Sequence, residues 1–149
     1  MRKTIAYFHL PGLFEAYEFY RVFLPLFFEQ REYFYDWCAI GSLYGAPADC
    51  IWGGGRVGSG EWSAQEVLAL TRAYGLSARL TFSNSLLRPE HLSDGRCNAL
   101  CRAFARSDGP QNGVIVHSDL LLGYLKANYP QLSLTSSTTK VLTDFRQLR

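Results

Sequence analysis

The chain has 149 residues, 48% of them apolar and 15% aromatic, with 15 basic and 13 acidic side chains giving a formal charge of +2. That is enough for one globular domain and too little for two. It excludes a disordered chain and a fold that depends on a metal or disulfide framework. The charge runs about −2, +1 and +3 through successive thirds, a gradient too weak to indicate a nucleic-acid or anionic-membrane partner.

The start imitates a secretory leader, because Arg2 and Lys3 precede an apolar stretch. His9, Pro11 and Glu15 interrupt that stretch, and no small-x-small cleavage site follows. The longest strongly apolar run, Val22 to Phe28, contains Pro25 and is far short of the ~20 residues of a membrane span. A cytoplasmic chain is expected, with Cys38, Cys50, Cys97 and Cys101 as reduced thiols. Of the 22 aromatic residues, 16 fall within the first 62 positions, so the N-terminal third must be heavily buried or must meet something.

In chain order, Thr4 to His9 reads as a strand closed by the turn dipeptide Pro11-Gly12. Leu13 to Gln30 is helical in character, with Glu15, Glu18 and Arg21 as a narrow polar stripe, and Pro25 is expected to kink or split it. Tyr33 to Ile40 is aromatic and β-branched enough for a second strand, and Gly41 to Gly60 reads as a long loop. Ser63 and Glu66 have capping-box spacing, Val67, Leu70 and Tyr74 give one apolar face, and Gly75 supplies a C-terminal stop. Ala78 to Phe82 is a strand. Asp94 to Arg106 is a helix with Cys97, Leu100, Cys101 and Phe104 on one face. Gly113 to His117 is a continuous apolar strand of the kind buried in parallel sheets. Asp119 to Asn128 is a helix, Leu132 to Thr135 a strand, and Val141 to Leu148 the start of a last helix.

This order is βα repeated five times, which implies an α/β fold with a parallel sheet and right-handed crossovers. A doubly wound sheet of flavodoxin type competes with the first five units of a (β/α)₈ TIM-barrel-like domain. The last helix reaches Arg149 with no stop signal, which favours a single partial barrel over 1–149. Strand order 1-2-3-4-5 would mark a barrel segment and 2-1-3-4-5 a doubly wound sheet. An incomplete barrel leaves open edges, so self-association or a missing C-terminal half is expected.

In either architecture the chemistry sits just past the carboxyl ends of the strands. The residues there are polar: His9 after the first strand, Ser83, Asn84 and Ser85 after the third, His117, Ser118 and Asp119 after the fourth, and Ser136 to Lys140 after the fifth. Each group can simply cap its own helix; all of them together can line a ligand site. Ser83, His117 and Asp119 contain the ingredients of a nucleophilic triad, but TFSNS has no glycine beside Ser83 to make a nucleophile elbow, and no catalytic residue is assigned. Gly53-Gly54-Gly55-Arg56-Val57-Gly58 satisfies G-x-G-x-x-G literally, yet no helix starts at its last glycine and no Walker lysine follows. It reads instead as a loop offering Arg56 to an anion. Cys97-x₃-Cys101 lacks a third cysteine at Phe104, and both thiols lie on an apolar helix face, so no metal is expected in this chain.

The stretches YFYDWCAIGSLYGAPADCIWGGGR (33–56), ARLTFSNSLL (78–87), NALC (98–101), GPQNGVIVHSDLLLGYL (109–125) and SSTTKVLTDF (136–145) resemble a group of uncharacterised bacterial proteins, found especially in gut anaerobes. That group is distantly similar to the collagenase-like peptidase family. The resemblance implies a (β/α)₈ barrel continued by further strands, a cysteine-rich segment suited to an iron–sulfur cluster and a terminal KIEGR-like motif, none of which stands in these residues. The wider family includes proteins implicated in oxygen-independent hydroxylation of RNA or quinone, and proteases. The resemblance therefore implies a longer iron–sulfur enzyme acting on a polar small molecule or nucleobase. The alternative is a non-catalytic binding module, or a truncated fragment needing a partner half. By position, what carries over is Ser83, Asn84, His117, Ser118, Asp119, Ser136, Ser137 and Thr138.

Overall fold

Along β3 (Ser77–Phe82), Ala78, Leu80 and Phe82 are fully buried and point one way, while Arg79 and Thr81 point the other, as the two-residue repeat of a strand requires. The same alternation recurs in β2 (Cys38–Gly45), where Leu43 lies opposite in sense to Ser42 and Tyr44, and in β4 (Gly113–Val116), where Val114 and Val116 oppose Ile115. With β1 (Ala6–Pro11) and β5 (Ser133–Ser136), these strands form one five-stranded sheet, parallel throughout, in the order β1-β2-β3-β4-β5. This computed structural model describes residues 4–54, 62–106, 108–144 and 146. Sequential order removes the doubly wound alternative, which needs a reversal of strand order. The sheet curls into a half-barrel.

Four helices, α1 (Tyr17–Glu29), α2 (Ala64–Ala73), α3 (Gly95–Ala105) and α4 (Asp119–Asn128), follow β1 to β4 among the described residues. Leu24, Val67, Phe104, Leu121 and Leu125 join Leu43, Leu80, Phe82 and Val114 in a single apolar cluster. Fully burying side chains of this size contributes about 1.5–3 kcal/mol each relative to exposure. Trp52 is wholly buried in the connection after β2, edge-on to Phe82 and Tyr124, and its indole N–H donates to the His91 carbonyl at 2.8 Å.

Buried polar groups are paired across elements, as burial demands. Asn98 on α3 donates to the Leu92 and Asp94 carbonyls and accepts from the hydroxyls of Tyr124 and Tyr129, which ties α3 to α4. Asn112 accepts from the Ala78 amide at 2.8 Å and donates to the Phe104 carbonyl, fixing the start of β4 beside β3 and the end of α3. The capping box of α2 is formed, with Ser63 accepting from the Glu66 amide and Glu66 from the Ser63 amide.

Two sequence expectations are corrected and two are narrowed. The second strand lies at Cys38–Gly45, not Tyr33–Ile40, so the expected loop from Gly41 loses its first five residues to the sheet. There, Gly41 accommodates a register shift against β1: a Cβ at Gly41 would sit 2.7 Å from the His9 ring. Pro25 does not split α1, which runs through it from Tyr17 to Glu29. Val141 begins no helix: it has a left-handed φ of 49° after a 3-10 turn at Thr138–Lys140, and 142–144 are not helical. Residues 145 and 147–149, the rest of that expectation, lie outside the described residues. The N-terminal aromatics divide. Phe14, Tyr20, Phe27 and Trp52 are buried, but Tyr7, Phe19, Tyr33 and Tyr35 are more than half exposed, because β1 is an edge strand and α1 is covered on one face only.

Leu80→Ala is expected to cost about 2–5 kcal/mol and Ser63→Ala about 1 kcal/mol, both measured by urea unfolding. Asp94 caps α3 by accepting from the Cys97 amide at 2.7 Å, which holds its carboxyl below the ordinary value of 3.8. A depressed carboxylate contributes stability that is complete above the unfolded value and lost as pH falls through the folded one. Stability should therefore fall as pH drops below about 4, and Asp94→Asn should flatten that slope while keeping the cap.

Candidate functional site

The inward-pointing residues of the sheet are almost all polar. They enclose a cavity of about 470 Å³ on the concave face, lined by His9 and Ser42 near β1, Tyr44, Arg79 and Thr81 in the centre, and Ser83 and residues 135–139 along the β5 side. A closed barrel fills this space with layers of bulky branched side chains; here Ile115 is the sole aliphatic among the lining residues. Parity explains the arrangement. His9 is in register with Ser42, Tyr44 with Arg79, and Arg79 with Gly113, so these positions share the face opposite the helices, and the register partner of Arg79 on β4 has no side chain.

Within the cavity, His9 Nδ1 lies 2.7 Å from Ser42 Oγ, and Arg79 Nη1 donates to Thr135 Oγ1 at 2.9 Å. Two buried polar atoms, Arg79 Nε and Thr81 Oγ1, have no hydrogen-bond partner. No carboxylate pairs with Arg79 among the described residues. A buried donor left unmade costs about 1–3 kcal/mol, more when charged. On the rim, Tyr20 donates to the Pro11 carbonyl, and its pKa is pushed up to about 12 by burial and then by the nearby Tyr44 and Glu15. That bond fastens α1 to the end of β1.

The sequence candidates separate into groups. Ser83, Ser136, Ser137 and Thr138 line the concave cavity. His117, Ser118 and Asp119, with Ser136 again, line a second hollow of about 400 Å³ between α4 and β5. His117 Nδ1 is 2.8 Å from Thr139 Oγ1, which is in turn 2.7 Å from Ser137 Oγ, so the two hollows meet through a hydroxyl chain. Ser118 caps α4 by accepting from the Leu121 amide, and Asp119 pairs with Lys140. Asn84 is not brought to either hollow. Its side chain donates to the Ile51 carbonyl and accepts from the Leu86 amide, and its own amide donates to the Trp52 carbonyl. Arg56, with 55–58 of the glycine-rich stretch, lies outside the described residues.

Sequence reading missed Ser42, Tyr44, Arg79, Thr81 and Thr135. The available signal was a charged residue at alternate parity inside a strand otherwise read as buried. These five residues stand within the strands, whereas the expected site drew only on polar groups at and beyond the strand ends.

Among the described residues no group of three His, Cys, Asp or Glu side chains is placed to hold a metal ion. Cys97 and Cys101 are wholly buried, and Cys97 Sγ lies 3.0 Å from Cys50 Sγ. Among the described residues no helix is long and apolar enough to cross a membrane. Compared with known proteins, the chain matches no family model, no curated protein and no solved structure at a significant level.

Asn84→Ala should destabilise the chain by about 1–3 kcal/mol in urea unfolding, because it orphans groups in the connection after β2. It should leave ligand binding on the concave face unchanged once folded.

Proposed function

We propose that the chain supplies the first five βα units of a (β/α)₈-type barrel and that its concave face binds a small anionic molecule bearing hydroxyl groups. The observation that carries this reading is Arg79, a guanidinium on the concave face with its Nε buried and unpartnered and one Nη spent on a neutral threonine. A cation so held is stabilised by an incoming carboxylate or phosphate, which guanidinium binds through two parallel N–H donors. Around it, Ser42, Thr81, Ser83, Thr135 and Ser137 offer neutral hydroxyls, which recognise hydroxyls and not a second charge. A cavity of about 470 Å³ is within the usual range for a small ligand.

The sequential parallel strands and the resemblance of 33–56 and 109–125 to barrel proteins support the barrel part of the proposal. In this reading the half-barrel is a binding module, and the imidazole–hydroxyl pair of His9 and Ser42 in the same cavity serves to orient the ligand. Among the described residues no strand pairs with the outer edges of β1 and β5, so a covering half is part of the proposal.

The test is thermal unfolding in inorganic phosphate, in a sugar phosphate and in its parent sugar. A ligand at 100 times its Kd adds about 2.7 kcal/mol, or roughly 5–10 °C for a chain of this size. The sugar phosphate should produce a shift of this order, phosphate a smaller one and the parent sugar none. Arg79→Met should abolish both shifts while leaving the unliganded chain within about 1 kcal/mol of wild type, since the hydrogen bond it loses to Thr135 is offset by removal of a buried, unpartnered Nε. Equal shifts from the parent sugar, or full retention in Arg79→Met, would sink the reading.

A further inference from the structure

Three contacts join the connection after β2 to the turn before α3 and to its first turn. Asp49 pairs with Arg96, Cys50 Sγ lies 3.0 Å from Cys97 Sγ, and Trp52 donates to the His91 carbonyl at 2.8 Å. Both backbones are held on either side of the sulfurs. Cys50 donates its amide to the Pro47 carbonyl and its carbonyl accepts from Gly53, while the Cys97 amide is fixed on Asp94. All four cysteines are free thiols, and 47 positions separate Cys50 from Cys97.

We propose that Cys50 and Cys97 are a dithiol pair that closes to a reversible disulfide, clamping the β2–α2 connection onto α3. A disulfide has its sulfurs ~2.05 Å apart, so closure needs a movement of about 1 Å between two side chains already facing each other. The thiols share one hydrogen bond. That bond and burial push Cys97 up, while the same bond holds Cys50 down against its own burial, so Cys50 is the sulfur that loses its proton first. Cys101 is pushed up by burial and stays a thiol.

The chemistry balances with a small-molecule disulfide such as oxidised glutathione as the oxidant. Cys50 thiolate attacks one sulfur of the reagent, forming a mixed disulfide and expelling one thiolate. Cys97, losing its proton, attacks Cys50 Sγ and expels the second. Two protein thiols give up two protons and two electrons, and one reagent disulfide becomes two thiols. Because Cys50 and Cys97 are 2% and 0% exposed, the reagent enters only when the connection lifts from α3, so the rate of closure measures that opening.

The experiment incubates the full chain under native conditions with oxidised glutathione, alkylates the remaining thiols and maps linked peptides by mass spectrometry. The expected product joins Cys50 to Cys97, leaves Cys38 and Cys101 alkylated, reverts with dithiothreitol and raises Tm by roughly 5–15 °C. The Cys38→Ser/Cys101→Ala variant should form the same link. If that variant does not fold, the linked peptide of the wild-type chain decides alone. Four alkylated thiols, a stable glutathione adduct on Cys50 without the link, or a link through Cys38 or Cys101 would each overturn the proposal. The Arg79→Met variant should close the link at the wild-type rate, which separates this result from the fate of the concave-face reading.

Discussion

The two-residue alternation of β3, β4 and the part of β2 after Gly41 is the constraint on which the remaining structure depends. A parallel sheet needs helical crossovers, the crossovers cover one face, and the side chains on that face must be apolar. Leu43, Leu80, Phe82, Val114 and Val116 meet that demand and are nearly or wholly buried. Every residue between them is thereby directed to the face without helices. Ser42, Tyr44, Arg79, Thr81 and Ile115 are free of the packing requirement, and four of these five are polar. The polar concave surface is thus permitted by the same pattern that builds the core, and a shift of one residue in β3 would bury Arg79 among the helices and expose Leu80.

The features most legible in the sequence were those whose signals are local. Ser63 and Glu66 announce α2 by spacing alone. Asp94 and Ser118 stand where α3 and α4 begin, and the boundaries of α4 match the structure at both ends. The second strand was misplaced because Tyr33, Phe34, Tyr35 and Trp37 have high strand propensity yet form a 3-10 turn and an exposed aromatic stack, in which Tyr35 and Trp37 lie 5.4 Å apart. The real strand, CAIGSLYG, contains two glycines that argue against it locally. One of them, Gly41, is there because the His9 ring of the neighbouring strand lies over it, a tertiary reason with no local trace. The expected start of a last helix at Val141 failed for a related cause. Its apolar spacing is helical, but Val141 turns left-handed immediately after the Thr138–Lys140 turn, and that turn is held by Ser137 and by the pairing of Lys140 with Asp119 across from α4.

The candidate site was only partly legible for a reason that is physical and not statistical. Polar residues after a strand have two competing uses, and the sequence does not distinguish them. Asn84 and Ser118 went to backbone groups of their own surroundings, Ser137 both caps its own turn and lines the cavity, and Ser83, with similar chemistry, lines the cavity. The choice depends on neighbours distant in the chain. Asn84 is claimed by Ile51 and Trp52, and the tight packing of Gly54 under its backbone, where a Cβ would lie 3.3 Å from the Asn84 amide, leaves it no freedom to turn inward.

The same competition bears on the proposed concave-face site. The connections past β2 and β3 spend their polar groups on each other: Trp52 on His91, Asp49 on Arg96, Asn84 on Ile51. Groups spent in this way cannot also hold a ligand without leaving a buried partner unmade. The groups left for a ligand are on the strands themselves, Arg79 and Thr81 above all, where the backbone is fixed by ladder hydrogen bonds on both sides. A site carried by central strands is more rigid than one carried by loops, so in the proposed reading specificity is set before the ligand arrives. Changes in the rim connections should therefore act on access to the cavity and on stability, and changes at Arg79 on what the cavity accepts.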